Sequence, residues 1–452
     1  MKKIIISFIS SAVLLSACKL VDVTDVSPVN QLEDANAITT VEKAQSVLYG
    51  TYGILTNSNL AFNYYMPATA SLMGLTMEPG TDGSDFYNNN PLTTNYYLES
   101  MYTAGYKMVN MSNHIITKTP LIAGSDPRKT RILGEAKFLR AMSYFYMLRL
   151  FGQFYDTDSR FGMVLRTTPV KDGEPIPRSS VKATYDVINK DLDEAINECS
   201  EFSSTFYASK LSARALKAKV LLYQQRYAEA AEMAKLVTTT TQRSLEDTFK
   251  TVFLKKIRET KEVIFQTPYD AGTGNNNKAF AFRSWFVPSA YYIQFMKGDG
   301  RDTMALKARP TSVLNGKFMA GQIDGAPSNA DTEYFIRLAE LYLVQAEALV
   351  RSGGSLEEAR AALNKIRKRA LMPDITSNDR AELLRIIREE KVKELGAESG
   401  EEWYDLVRYA SKGELDIKTF KPAFMGKNRY IIPLPFASVK ASGGVVEQNP
   451  GY

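Results

Sequence analysis

Two stretches of this chain repeat one pattern, a helix, a very short turn and a return helix, and that pattern leaves few folds open. In the first, Leu211, Ala215, Ala218 and Leu222 form an apolar stripe, Gln225-Arg226 the turn, and Tyr227-Ala228-Glu229-Ala230-Ala231 begins the return. In the second, Phe335, Leu338, Tyr342, Ala346 and Leu349 form the stripe, Ser352-Gly353-Gly354 the turn, and Leu356, Ala359, Leu363 and Ile366 the return. Apolar residues recurring every three or four positions give each helix one face to bury. Alanines on that face let two helices approach closely, and the short turn forces them antiparallel. Units of this kind stack on one another. The expected fold class is therefore mainly α, a tetratricopeptide-like helical-repeat solenoid with long irregular insertions carrying short strands. An irregular helical bundle would satisfy the same stripes.

Further helices fit the scheme. Leu133, Ala136, Leu139, Arg140, Ser143, Tyr144 and Leu148 share one face of a helix that starts near Asp126-Pro127 and stops near Gly152, and Tyr185, Ile188, Leu192 and Ile196 mark another over 181–199. His114 falls in a helical stretch, 100–118, and reads as a packing or surface residue. The repeat helices thus occupy about 125–240 and 331–398, the last long one being Asp379 to Leu395, after which the chain reads as loops. Two regions break the pattern, about 56–99 and 244–330. The first holds Asp82-Gly83-Ser84-Asp85-Phe86-Tyr87-Asn88-Asn89-Asn90-Pro91, which no regular element tolerates. In the second, Val263-Ile264-Phe265-Gln266, Tyr291-Tyr292-Ile293 and Lys317-Phe318-Met319 read as short strands among Gly, Asn and Pro clusters. Long loops in compact domains are commonly functional.

The N-terminus addresses the chain to a membrane. Lys2-Lys3, an apolar run from Ile4 to Leu15 too short to span a bilayer, and Leu15-Ser16-Ala17-Cys18 describe a lipoprotein signal. Residues 1–17 are then the signal peptide, Cys18 the lipidated residue, 18–37 a tether, and 38–452 a single domain. Acyl chains contribute about 0.8 kcal/mol per buried methylene, so several on one cysteine anchor a domain durably. Loss of Lys2 and Lys3 with the signal lowers the formal charge from +6 to +4, with no basic tract, which argues against nucleic acid as a partner. Cys199 is the only other thiol and cannot form an intramolecular disulfide, so stability must come from packing. A single histidine argues against histidine metal sites and Ser-His or Cys-His catalysis. No Gly-x-Ser-x-Gly, His-Glu-x-x-His, phosphate loop or nucleotide fingerprint occurs, and no cofactor is indicated. A glycosidase using two of the many carboxylates is left open by composition.

Four segments in order behind this signal carry a family resemblance. They are Gly134-Glu135-Ala136-Lys137-Phe138-Leu139-Arg140-Ala141 with Tyr144-Phe145 and Leu150-Phe151-Gly152; Ile336-Arg337-Leu338-Ala339-Glu340-Leu341-Tyr342-Leu343 with Ala346-Glu347-Ala348 and Leu363-Asn364-Lys365-Ile366-Arg367; Ile387-Arg388-Glu389-Glu390 with Glu394-Leu395, Trp403-Tyr404-Asp405-Leu406 and Arg408; and the terminal Gln448-Asn449-Pro450-Gly451-Tyr452. Across nearly its whole mature length the chain resembles the SusD/RagB surface lipoproteins of Bacteroidetes. Lys391 and Glu402 stand where that family usually has Arg, which puts local ion pairing in doubt. The resemblance implies a SusD-like fold and a binding protein, not an enzyme, lipid-anchored in the outer membrane facing outward. It also implies a SusC-like TonB-dependent outer-membrane transporter as partner, to which captured oligosaccharides, or in some branches peptides, are delivered. A repeat scaffold that binds only proteins would show an uninterrupted concave helical surface, which the long insertions here break.

A site for sugar needs exposed aromatic planes, to meet apolar CH faces, rimmed by amide, guanidinium and carboxylate groups. The first insertion offers Phe86 and Tyr87 beside Asp82, Asp85 and Asn88 to Asn90, with Tyr96 and Tyr97 shortly after; the second offers Arg283, Trp285, Tyr291 and Tyr292. The candidate ligand-binding residues are therefore Phe86, Tyr87, Asp82, Asn88, Arg283, Trp285, Tyr291 and Tyr292. The same aromatics could line a groove for an extended peptide. Asp82 and Asp85 are spaced loosely for a calcium ion and read as a solvated turn, so no metal is expected.

Overall fold

The computed structural model describes residues 38–57, 61–170, 173–254, 260–267, 281–282, 285–318 and 332–452. The signal segment 1–17, the lipidation residue Cys18 with its tether, and Arg283 lie outside the described residues.

Helix α1 (Val41–Asn57) leads through a π-helical turn (Ala61–Tyr65) into α2 (Met66–Met73), strand β1 (Met77–Pro79), the single turn α3 (Ser84–Tyr87) and the long α4 (Tyr96–Lys118). Then come α5 (Arg128–Phe151), α6 (Val181–Glu198), α7 (Lys210–Tyr223) and α8 (Tyr227–Thr238). The second insertion contains α9 (Phe249–Leu254), β2 (Val263–Gln266), β3 (Phe286–Pro288), α10 (Ala290–Met296), α11 (Asp302–Ala305), β4 (Leu306–Arg309), β5 (Ser312–Asn315) and β6 (Tyr334–Arg337). Last are α12 (Leu338–Arg351), α13 (Leu356–Arg369), α14 (Arg380–Leu395), α15 (Glu401–Ser411) and α16 (Phe436–Ala441). The expected mainly helical solenoid with strand-bearing insertions is what forms.

Side-chain caps explain many helix starts, because a helix leaves its first N–H groups without intrahelical acceptors. Ser180 accepts from the Ala183 N–H, Ser355 from Glu358 and Asp379 from Glu382, while Ser209 and Ser212 form a reciprocal capping box at α7. Helix α13 also carries Glu357 and Glu358 in its first turn and Arg367 to Arg369 in its last, matching the helix dipole. Between α7 and α8 the turn is so tight that Gln225 takes a positive φ of 64°. Neighbouring helices pack in chain order from α4 to α8, and α12 packs on both α8 and α13. The two hairpin units therefore touch, although the second insertion separates them in sequence. Gly134 makes one close approach possible: a Cβ there would lie 2.6 Å from the backbone N of Cys199.

Among the described residues, three two-stranded antiparallel ladders bind the insertions. Pairing of β1 with β3, in the register Met77↔Pro288 and Pro79↔Phe286, sews the first irregular region to the second. Pairing of β2 with β6, bulged between Val263 and Gln266, returns the chain to α12, and β4 with β5 closes a hairpin. The terminal segment closes against the helices: Asn449 Nδ2 donates to the Phe151 and Ile432 carbonyls, and Gln448 pairs with both backbone groups of Leu434.

Three sequence expectations are corrected. Tyr291-Tyr292-Ile293 is helical, in α10, because Ser289 caps it through the Tyr292 N–H and the buried positions Tyr292 and Met296 fall four apart. Lys317-Phe318 belongs to a 3₁₀ turn, Gly316–Phe318, with Met319 outside the described residues. Beyond α14 the chain forms α15, whose residues 401–410 are all buried; its polar stripe, Glu401, Glu402, Asp405 and Arg408, recurs at helical spacing but meets Arg149, Thr76 and Glu347 inside the fold instead of solvent.

Under the insertions lies a network of buried ion pairs. Arg301 pairs with Asp299 (2.8 Å), Glu390 (2.7 Å) and Glu394 (3.1 Å). Arg337 pairs with Glu262, Glu394 and Glu398, Arg369 with Glu262 and Glu394, and Lys317 with Glu398. Burial alone would raise the Glu394 carboxyl, but Arg369, Arg337 and Arg301 outweigh it and hold it well below the usual carboxylate range. A second cluster gathers Arg351, Lys391 and Arg408 around Glu347, so Lys391 keeps an ion pair where the family usually has Arg. Glu402 does not. Its carboxyl accepts the Thr76 hydroxyl, and burial pushes its pKa up to about 8, which leaves it protonated at neutral pH.

Candidate ligand-binding face

The β1–β3 ladder has a direct consequence for the site. Gly80 and Thr81, just past β1, both donate to the Trp285 carbonyl, at 2.7 and 3.1 Å, which places Trp285 beside the first insertion. Gly83 follows at φ +84°, and a Cβ there would lie 2.5 Å from Leu72 Cδ1, so the turn needs glycine to swing α3 against α2. The π-helical turn supplies Tyr64 and Tyr65, and the start of α4, capped by Asn95 through the Tyr97 N–H, supplies Tyr96 and Tyr97.

These pieces converge on one aromatic cluster. The Tyr64 ring lies 6.1 Å from Trp285 and from Phe286, and 6.0 Å from Tyr97. Tyr65 lies 4.1 Å from Tyr97 and meets Tyr96 edge-on at 5.8 Å. The Tyr97 hydroxyl donates to Asp82 Oδ2 (2.6 Å) and lies 3.1 Å from the Tyr64 hydroxyl. Asp85 Oδ2 accepts from Asn95 Nδ2 at 2.7 Å. Burial raises the Tyr64 and Tyr97 phenols far beyond any accessible pH and, with Tyr96, pushes Tyr65 up to about 12, so these three phenols stay neutral. Tyr96 is 60% exposed, whereas Tyr65 and Trp285 are half-buried. The outcome is a bank of partly open aromatic faces edged by carboxylate and amide groups, suited to apolar CH surfaces with hydroxyls at their rim. Asp82 and Asp85 spend oxygens on Tyr97 and Asn95, and among the described residues no cluster of three or more His, Cys, Asp or Glu could hold a metal ion.

The sequence candidates divide. Trp285 and Asp82 are at the cluster, and Asn88 is exposed on the loop leaving α3. Tyr87 is half-buried; the Lys421 ammonium sits 4.9 Å from its ring centroid and donates to its carbonyl (2.7 Å) and to that of Met73 (2.8 Å), which staples α3 to α2. With no acid beside it, burial lowers Lys421 to about 7. Phe86 and Tyr292 are corrected: Phe86 is 1% exposed and stacks beneath Tyr97 at 5.5 Å, and Tyr292 is wholly buried, so both are core. Tyr291 is open to solvent, but its ring neighbours are Phe295 and Phe420, away from the cluster rings. Tyr64 and Tyr65 went unrecognised in the sequence. Their signal was a second tyrosine doublet, matching Tyr96-Tyr97, inside the same irregular region.

Comparison with known proteins sets this arrangement among relatives. A family model described as the SusD family matches residues 289–452, and one described as starch-binding and associating with the outer membrane matches 24–222. The chain belongs to the SusD/RagB family. Two SusD-like proteins of Formosa agariphila are similar along most or all of their length: one is 27% identical over 87% of this chain and 88% of its own, the other 24% identical over 100% of both. Among solved structures, a SusD superfamily protein of Bacteroides thetaiotaomicron superposes with a TM-score of 0.80 at 22% identity, covering 91% of this chain and 100% of that one. A laminarin-binding SusD-like protein superposes at 0.75 and 22% identity over 91% of this chain and 99% of its own. These superpositions establish the SusD fold here.

Proposed function

We propose that this chain captures oligosaccharides on the aromatic face and delivers them to a TonB-dependent transporter in the outer membrane, where a lipid on Cys18 holds it. It acts as a binding protein and not an enzyme. The observation that carries the reading is the convergence of Tyr65, Tyr96 and Trp285, from three separate irregular segments, on the polar edge formed by Asp82, Asp85 and Asn95. Three backbone regions are spent on displaying rings that burial alone would have hidden, which suits a ligand that stacks. The sugar-binding descriptions borne by one matched family model and by a structural neighbour support the choice of glycan. The Leu15-Ser16-Ala17-Cys18 signal supports the anchor, and no helix among the described residues is long and apolar enough to cross a membrane.

The test is an array of neutral and acidic oligosaccharides and of mixed peptides, probed with wild-type chain and with Trp285→Ala. Glycan binding that the substitution weakens at least tenfold is the expected outcome. Binding to peptides with no glycan signal would overturn the sugar assignment. Co-purification with a barrel protein from detergent-solubilised outer membrane tests the delivery step, and recovery of the chain alone in several detergents would count against it.

A further inference from the structure

On α4, beyond Tyr96 and Tyr97, a separate pocket of about 350 Å³ opens between that helix, residues 164–166 and 173–176, and α16. That volume falls at the lower end of the range for small-molecule sites. Tyr102 and Tyr106 form its floor, their ring centroids 4.7 Å apart, and Val164 and Ile176 add apolar wall. Arg166 and Ser438 are the polar groups that matter here.

Its charge is one-sided. The Arg166 guanidinium spends one Nη2 N–H on the Glu174 carbonyl (2.6 Å), and among the described residues no carboxylate pairs with it, which leaves the second Nη2 N–H and the N–H beside it as one two-pronged edge. Arg178, behind the floor, donates only to neutral acceptors: the carbonyls of Phe151, Phe161, Gly162 and Glu447 and the side-chain oxygen of Asn449. Burial draws Arg178 down to about 10, which still leaves it cationic at neutral pH. Of the acids around it, Glu447 pairs with Arg160 (2.6 Å), Glu99 accepts from the Thr103 hydroxyl (3.2 Å), and Glu174, which offers Arg166 its carbonyl, is exposed to solvent. Two cations without paired anions, in a partly desolvated recess, favour an anionic guest, and an Arg edge with two free N–H groups suits a carboxylate.

We propose that this pocket is a second ligand site that takes a single carboxylate-bearing sugar ring. The carboxylate sits on the Arg166 edge, the CH face of the ring lies on Tyr106 and Ile176, and a ring hydroxyl meets Ser438. The site stands independently of the aromatic face.

Titration calorimetry of the full chain with D-glucuronate and with D-glucose, which differ at the carboxylate, tests it. Glucuronate should bind at least tenfold more tightly than glucose, and Arg166→Gln should erase that preference at unchanged melting temperature. Ile176→Trp, which fills the pocket and leaves Arg166 in place, should abolish glucuronate binding while oligosaccharide capture by the aromatic face persists. Equal or undetectable binding of both sugars would overturn the proposal, as would an Arg166→Gln or Ile176→Trp variant that keeps the wild-type preference. Failure of capture at the aromatic face with the glucuronate preference intact would overturn the reading of that face alone.

Discussion

The ion-pair network beneath the second insertion and the aromatic face beside it hold neighbouring parts of the same fold by opposite means. The network buries Arg301, Arg337 and Arg369 among Glu262, Glu390, Glu394 and Glu398, each charge answered by several others. At the face, Tyr64, Tyr65, Tyr96, Tyr97 and Trp285 are aromatic rings joined by ring contacts and hydroxyl bonds, with Asp82 at the margin. Desolvated charges cost several kcal/mol each unless every partner is present, so a network of this kind tolerates little change. Aromatic contacts contribute about 0.5–1.5 kcal/mol apiece beyond area burial and can be exchanged one at a time. The lesson is a division of labour: the charges lock where the insertion sits on α14, and the rings it displays remain free to vary.

Breaking the network should produce the largest effect. Glu394→Ala strands Arg301, Arg337 and Arg369 in the interior and should cost about 3–5 kcal/mol in denaturant unfolding; a loss under about 1 kcal/mol would show that the network adds no rigidity. Next comes Glu402, a buried carboxyl that stays protonated at neutral pH. Its folded pKa of about 8 lies above the ordinary value of 4.5, so its stabilisation is fully present below about pH 4.5 and has gone once pH passes about 8. Glu402→Gln should match wild type at pH 4.5 and exceed it at pH 8.5 by on the order of 5 kcal/mol. Parallel melting curves for the two proteins across that range would contradict a neutral Glu402.

On the face itself the effects shift from stability to binding. Trp285→Ala should weaken oligosaccharide binding at least tenfold, about 1.4 kcal/mol, with a smaller change in unfolding free energy; the reverse ordering would mark Trp285 as core. Tyr96→Ala should do least to the fold, within about 0.5 kcal/mol, because the side chain is mostly exposed, yet still lower affinity measurably. Unaltered affinity would remove Tyr96 from the site.

Much of the scaffold was legible because its information is local. Alanine and leucine stripes at helical spacing located α5 to α8 and α12 to α13, and Asp379, where the last long helix was expected to start, caps it. Helix α15 does carry a polar stripe at helical spacing, Glu401, Glu402, Asp405 and Arg408, but it is only eleven residues long and that stripe is answered by buried partners such as Arg149 and Glu347, far away in the chain. The site was half legible. Composition pointed to both insertions, and Trp285, Asp82 and Tyr96 lie where it pointed, but Phe86 and Tyr292 carry the same chemistry and turn inward. Nothing at the level of residue type separates Phe86 from Tyr96.

By itself, then, the sequence determined the helical periods, their caps, the charge balance and the family signature, since each depends on residues within a few turns of one another. Only the tertiary structure decided which rings stay open, that Tyr64 and Tyr65 join Trp285, and that Glu402 answers Thr76 instead of a cation. Those outcomes hang on the β1–β3 register and on the packing of α2, α10 and α15, contacts between residues far apart in the chain. Exposure is a property of neighbours, and neighbours are chosen only once the whole chain has packed.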